Sequence, residues 1–322
     1  MLYLNEKHIR QTGINWDESI NAIMEAISCL KENDYSQPIK PYLRFRDLNN
    51  RIIAMPAFVG KKFDMAGIKW IASFPKNIEK NIPRAHSVVI LNNSTTGEID
   101  AIINTSLLSI IRTVSVSGLM LKQFDKIKPL RNFNLGIIGW GPIGQHHFNM
   151  VTKILGDKIS KIYLYDLREI NKNSINLSLR DKVIIAKNWE EAYYNADVFI
   201  TCTTSKNRYI DKKPKKGSLI LNISLRDFKT DIYDHVKKNI IVDDWNEVCR
   251  ENTDIEMFHI EKGLEKKDTI NITDIIYDNF SKKICLDETI MFNPMGMAVF
   301  DIATAVHYFK KAKEKKVGQI LT

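Results

Sequence analysis

Gly139-Trp140-Gly141-Pro142-Ile143-Gly144 follows the apolar run Leu135–Ile138 and precedes a stretch with helical spacing. In a strand–turn–helix setting each glycine has a separate task. The first permits the tight turn, the second lets a pyrophosphate approach the backbone, and the third lets helix and strand pack closely. The helix start then offers free N–H groups and a partial positive charge to phosphates. Asp166 ends the next apolar run, 22 residues beyond Gly144. A carboxylate there accepts both hydroxyls of a ribose, which favours NAD, while Arg168 beside it keeps NADP open. Thr201-Cys-Thr203-Thr204-Ser205 ends a further strand candidate, so its hydroxyls are expected to line the same nucleotide site.

A second set of residues is cationic. Arg44, Lys69, Arg84 and Arg112 each sit inside apolar or aromatic surroundings, as in Pro-Tyr-Leu-Arg44-Phe and Gly-Ile-Lys69-Trp-Ile. A buried charge needs a partner, and the guanidinium fork suits carboxylates. Each can equally be a structural ion pair. All four lie upstream of the nucleotide motif, which points to an anionic substrate. Asp227, in Asn222-Ile-Ser224-Leu-Arg-Asp227, follows the strand candidate Leu219–Ile223. A carboxylate at that edge can act as general acid or base, or cap a helix.

These residues must be positioned by two kinds of element. After Lys126, strand candidates at 135–138, 161–166, 183–186, 198–201, 219–223 and 240–242 alternate with helical stretches. That pattern predicts an α/β domain, a doubly wound parallel sheet of Rossmann type, over 129–292. Residues 1–128 mix strands and helices and are expected to form a separate α+β domain; the family resemblance described below implies that 293–322 join them in a substrate and dimerisation domain. Its elements include a helix over Asp17–Leu30, strands at 51–56 and 87–91, a turn at Asn92–Gly97, and a helix over Ser106–Gln123. One long helix is expected over Pro294–Lys316, with Met297, Ile302, Ala305 and Phe309 on its apolar stripe.

Composition narrows the remaining options. Lys+Arg 47 against Asp+Glu 38 leaves a net charge of +9 over 322 residues. The lysine tracts 212–216 and 310–316 lack interleaved aromatics, so nucleic-acid binding is not expected. No apolar run reaches the roughly 18–20 residues a bilayer requires. Met1–Arg10 carries charges where a secretory segment would be apolar, so a cytoplasmic protein is expected. Cys29, Cys202, Cys249 and Cys285 are widely spaced and His146-His147 are adjacent, so neither a disulfide framework nor a metal site is expected.

Over nearly its whole length the chain resembles the ornithine cyclodeaminase/mu-crystallin family. The markers are Lys69 with Phe74-Pro-Lys-Asn77, Ile111-Arg112-Thr113, the glycine motif, Thr201–Ser205, Asp227, and Asn293-Pro-Met-Gly296-Met-Ala298 with Asp301. Within the family it looks most like the branch that cleaves a glutamate conjugate oxidatively to L-2,3-diaminopropionate, a precursor of siderophores and peptide antibiotics. Segments 1–5, 37–44, 51–56, 67–71, 242–245 and 293–297 carry that closer match. The resemblance implies an NAD-dependent enzyme acting on a secondary amine, a homodimer, and a small amino-acid conjugate as substrate. It implies that Arg44, Lys69 and Arg112 bind carboxylates and that Asp227 is the acid/base, with Lys69 in the catalytic set. Asn222, Ser224 and Gly296 join the cofactor side with Pro142 and Ile143. Cyclodeaminases have Thr in place of Arg84 and a glycine-rich segment in place of Ser224–Arg226. The extra cation fits a substrate with more carboxylates. Ornithine cyclisation, imine reduction in the reverse direction, and non-catalytic binding of NAD(P) and a small ligand are the other readings the family offers.

Overall fold

The computed structural model describes residues 1–277 and 280–322. The chain divides into two units, Met1–Ser115 with Gly296–Thr322, and Val116–Met295. In the first, β1 (Leu2–Asn5), β2 (Arg51–Val59), β3 (Met65–Ser73), β4 (Ala85–Asn93) and β5 (Ile99–Asn104) form one sheet in the spatial order β1-β5-β4-β3-β2. The pair β1–β5 is parallel and the other neighbours are antiparallel. Gln319–Ile320 extends the sheet beside β1, and Tyr35–Ser36 and Tyr42–Leu43 pair with β2.

The helix α1 (Trp16–Lys31) forms where the apolar spacing predicts it, and buries Ile20, Ile23, Ile27 and Leu30. Asn15 caps its first turn. The helix α2 (Leu107–Ile127) contains the boundary between the units, and residue 128, the boundary expected from the sequence, directly follows its last turn. By length and composition α2 could span a bilayer, but 72% of its apolar window is buried in the protein, so it is a core helix.

In the second unit β6 (Phe133–Ile138), β7 (Ile159–Tyr165), β8 (Val183–Ile185), β9 (Val198–Thr201), β10 (Leu219–Asn222), β11 (Ile240–Val242), β12 (Ile270–Asn271) and β13 (Ile290–Asn293) form a fully parallel sheet. Its order is β8-β7-β6-β9-β10-β13-β11-β12. Strand order therefore reverses between β6 and β9, the switch point at which doubly wound sheets bind ligands. Strands β9, β10 and β13 are buried at every residue, as the continuous apolar runs require. The helix α3 (Pro142–Leu155) follows β6, and α4 (Asp254–Lys262) follows β11.

The last helix, α5 (Ala298–Glu314), begins later than the sequence pattern suggests. Gly296 takes φ +87° and Met297 is extended, so no helix can begin at Pro294. Residues 290–293 form the central strand β13.

Candidate active site

Lys69 on β3, Arg112 on α2 and Asp301 on α5 meet inside the first unit. Their exposures are 2%, 8% and 2%. Lys69 Nζ lies 2.7 Å from Asp301 Oδ2, and Arg112 Nε lies 2.9 Å from Asp301 Oδ1. Two buried cations thus share one carboxylate, which leaves a net positive charge where water is scarce. Such a charge favours an incoming anion. Burial pushes the Lys69 ammonium down to about 7; Asp301 opposes this and Arg112 adds to it. Burial also disfavours the Asp301 carboxylate, but Arg112 and Lys69 outweigh it and hold the carboxyl below its ordinary range.

A third buried cation joins them. Lys40 is 4% exposed and donates from Nζ to the Gly296 carbonyl at 2.8 Å. Nothing in Pro-Ile-Lys40-Pro marks this lysine as buried, because its partner lies 256 residues away. Gly296 belongs to this cluster. A Cβ at that position would fall 2.4 Å from Arg112 Nη1. The expected cofactor residue Gly296 therefore lies against the cations of the first unit.

Arg44 and Arg84 belong to a second cationic group. Arg44 and Arg51 both lie over the Tyr42 ring, 5.3 and 5.6 Å from its centroid. Arg84 donates to Ser73 Oγ at 3.2 Å, and Ser73 pairs with Arg51 across β2 and β3. Burial and the like charge of Arg51 both push the Arg84 guanidinium down. Ser73 and Lys69 are four residues apart on β3, so both project from one face, about 13 Å apart along the strand. Arg51 opens the strand expected at 51–56 and is a further cation of this group.

In the second unit the glycine motif has the geometry its chemistry needs. Gly139 takes φ +90°, and a Cβ there would fall 2.5 Å from the Cys202 backbone. A Cβ on Gly144 would fall 2.0 Å from the Gly139 carbonyl oxygen, so these two glycines are steric requirements. At Gly141 a Cβ would meet nothing within 4 Å, which leaves the backbone approachable. Pro142 and Ile143 open α3, and no described side chain caps it. The motif thus fits a dinucleotide pyrophosphate on the helix N-terminus. Asp166 Oδ2 accepts the Trp140 N–H at 2.6 Å, and Oδ1 accepts from the Arg168 N–H and Nε at 2.9 and 3.2 Å. Burial opposes its ionisation, but Arg168 and these hydrogen bonds hold the carboxyl below its ordinary range.

Thr203, Ser224 and Asp227 form one hydrogen-bonded group at the ends of β9 and β10. Thr203 Oγ1 donates to Asp227 Oδ1 at 2.5 Å, and Ser224 Oγ donates to Oδ2. Asp227 is 0% exposed. Burial pushes its carboxyl up, against the two hydroxyl bonds and Arg226. Thr203 and Ser224, expected as cofactor contacts, hold this carboxyl. Thr204 is exposed at the strand end. Asn222, expected on the cofactor side, has its side chain engaged within the second unit. It is 0% exposed, its oxygen accepts from Thr201 Oγ1 and the Leu225 N–H, and its amide donates to Asp254 and Asn293. Both ends of this buried amide are therefore satisfied.

The ornithine cyclodeaminase/mu-crystallin family model matches residues 5–316, and the chain belongs to that family. It is 34% identical over 336 residues to the N-((2S)-2-amino-2-carboxyethyl)-L-glutamate dehydrogenase of Staphylococcus aureus, covering 100% of this chain and 98% of that protein. Among solved structures it resembles a Thermococcus litoralis Δ1-pyrroline-2-carboxylate reductase in complex with NADH and L-proline. The TM-score is 0.87 at 21% identity, with 100% of each chain covered. An archaeal alanine dehydrogenase dimer with bound NAD has a TM-score of 0.83 at 24% identity, covering 100% of this chain and 99% of that one.

Proposed function

We propose that this member of the ornithine cyclodeaminase/mu-crystallin family is an NAD-dependent dehydrogenase of N-(2-amino-2-carboxyethyl)-L-glutamate. Its products would be L-2,3-diaminopropionate and 2-oxoglutarate. The observation that carries the reading is the pair of cationic groups on one face of β3. A ligand with one carboxylate needs only one of them. This conjugate has three carboxylates, with one secondary amine joining its two halves. Lys69 and Arg112 take a carboxylate at the buried group, and Arg44 and Arg84 take the others. The 34% identity to the Staphylococcus aureus dehydrogenase supports the same substrate.

Gly141 and the first turn of α3 hold the pyrophosphate, and Asp166 holds the ribose. NAD, when bound there, would supply the hydride acceptor for the glutamate Cα. Asp227 takes the amine proton, and the substrate becomes an imine. The carboxyl returns that proton to the imine nitrogen and, as a carboxylate again, takes one from the water that adds to the iminium carbon. Collapse of that adduct returns the proton to the departing diaminopropionate nitrogen. The overall step consumes one water and releases one proton with the reduced cofactor. The enzyme acts as a homodimer in the cytoplasm and supplies diaminopropionate to siderophore or peptide-antibiotic assembly.

The test is NADH formation with the conjugate and with ornithine, with product identification. The expected result is NADH with 2-oxoglutarate and diaminopropionate in equal amounts. Proline and ammonia from ornithine without net NADH would replace the proposal by cyclisation. NADH-driven reduction of Δ1-pyrroline-2-carboxylate, with the conjugate untouched, would replace it by imine reduction. Binding of ligand without turnover would make the protein a carrier. Sedimentation velocity tests the dimer, and a monomer would remove it.

A further inference from the structure

The turn that carries Asp227 is held by a buried carboxylate that the chemistry above does not use. Asp254, the first residue of α4, is 0% exposed. Its N–H donates to the Leu225 carbonyl at 2.8 Å, and its Oδ2 accepts the Phe228 N–H at 3.3 Å. These two bonds bracket Asp227 from both sides. Oδ2 also accepts from Asn222 Nδ2 at 3.0 Å, and Oδ1 accepts from Arg208 Nε at 2.8 Å. Arg208 Nη2 continues to the Asn252 carbonyl at 2.7 Å, and Arg226 donates to the Glu251 carbonyl at 2.9 Å. The segments 222–228 and 251–254 are therefore laced together around one carboxyl.

Two features show why a carboxylate stands here. Leu225 takes φ +62°, a left-handed conformation that is strained for a non-glycine residue and persists only where its surroundings over-determine it. Asp254 must also accept on both oxygens, and an amide has only one acceptor atom. A buried charge is costly to keep without a task or a partner; Arg208 is the partner. Burial nevertheless pushes the Asp254 carboxyl up to about 6.

We propose that Asp254, clamped by Arg208, is a positioning residue that holds the Leu225–Phe228 turn so that Asp227 meets the hydroxyls of Thr203 and Ser224 in register for proton transfer. The inference rests on the reading of Asp227 as the acid/base. Asp254→Asn keeps the shape and removes one acceptor. It places an N–H2 against either Arg208 or the Phe228 N–H and Asn222.

Asp254→Asn, Arg208→Lys and Asp227→Asn are compared with the wild-type enzyme for NADH binding, kcat and KM. Asp254→Asn is expected to lower kcat tenfold or more, with KM for the conjugate within twofold and NADH binding unchanged. A residue with only a structural role would not split kcat from KM. Arg208→Lys keeps the charge, loses the fork, and is expected to show a smaller loss in kcat alone. Wild-type kcat in folded Asp254→Asn overturns the inference. If that variant does not fold, wild-type kcat in Arg208→Lys overturns it. Full turnover in Asp227→Asn removes the acid/base reading instead. Should the conjugate not react at all, crystal structures of the wild type and Asp254→Asn decide. An Asp227 carboxyl displaced from Thr203 Oγ1 supports the inference, and an unmoved one overturns it.

Discussion

The guanidinium of Arg112 occupies the space that a side chain at Gly296 would need: a Cβ there would lie 2.4 Å from Nη1 and 3.0 Å from Cζ. The Gly296 carbonyl meanwhile accepts from Lys40. One backbone position therefore sets the relation between two buried cations. Gly296→Ala should displace Arg112 from Asp301 and raise KM for a carboxylate substrate about tenfold or more, a loss of ~1.4 kcal/mol in binding. The positive φ adds a stability cost of about 1–2 kcal/mol. Steady-state kinetics and urea unfolding read the two effects separately. An unchanged KM would show that Arg112 tolerates the methyl group without leaving its place.

The pairing of two cations on Asp301 also predicts a pH dependence. Burial, the first cause, lowers Lys69 from 10.5 to about 7 in the folded protein. The unfolded chain therefore binds more protons than the folded one between these values, and stability rises with pH across that window. Below about 7 both states hold the proton and the destabilisation is present in full. Lys69→Met should flatten the rise in Tm between pH 7 and 10. A carboxylate ligand supplies the missing countercharge, so its binding above pH 7 should draw in a proton. Calorimetry of 2-oxoglutarate binding in buffers of different ionisation enthalpy measures that uptake, and a buffer-independent heat would contradict it.

Arg84 offers a direct reading of how many carboxylates the site recognises. Its guanidinium is half-buried beside Arg51, and its one described hydrogen bond is to a neutral hydroxyl on Ser73. Two like charges so placed are relieved by an anion. Arg84→Thr should raise KM for the tricarboxylate conjugate by about tenfold, or ~1.4 kcal/mol, and leave NADH affinity unchanged. A KM equal to wild type would remove Arg84 from substrate recognition.

The parts of this protein that were legible beforehand are those written in local patterns. The glycine motif fixes its own geometry, because Gly139 and Gly144 have no room for a Cβ. The runs 135–138, 198–201 and 219–222 are strands because they are continuously apolar and short. Ile290–Asn293 is equally apolar, yet it enters the sheet between β10 and β11, a pairing no local pattern announces. Lys40 and Asp254 were illegible for a related reason. Only long-range contacts, of Lys40 to Gly296 and of Asp254 to the 225–228 turn, make each a buried group. The hydrogen bonds that bury Asn222, to Thr201, Leu225, Asp254 and Asn293, are likewise announced by no local pattern.

Asp166 and Arg168 together decide which nucleotide the second unit prefers. The Asp166 carboxylate repels a 2′-phosphate and engages Arg168 through Oδ1, so a cation suited to that phosphate is held by the group that opposes it. Its other oxygen accepts the Trp140 N–H at 2.6 Å and so steadies the glycine turn. Asp166→Asn separates these tasks. The amide oxygen can still accept from Trp140, the negative charge is gone, and Arg168 is released. The ratio of kcat/KM for NADP to that for NAD should rise at least tenfold, about 1.4 kcal/mol. Adding Arg168→Met should reverse most of the gain, because the released guanidinium would be its source. A ratio unmoved by Asp166→Asn would mean that another group reads the ribose. A gain that survives Arg168→Met would trace it to loss of repulsion alone.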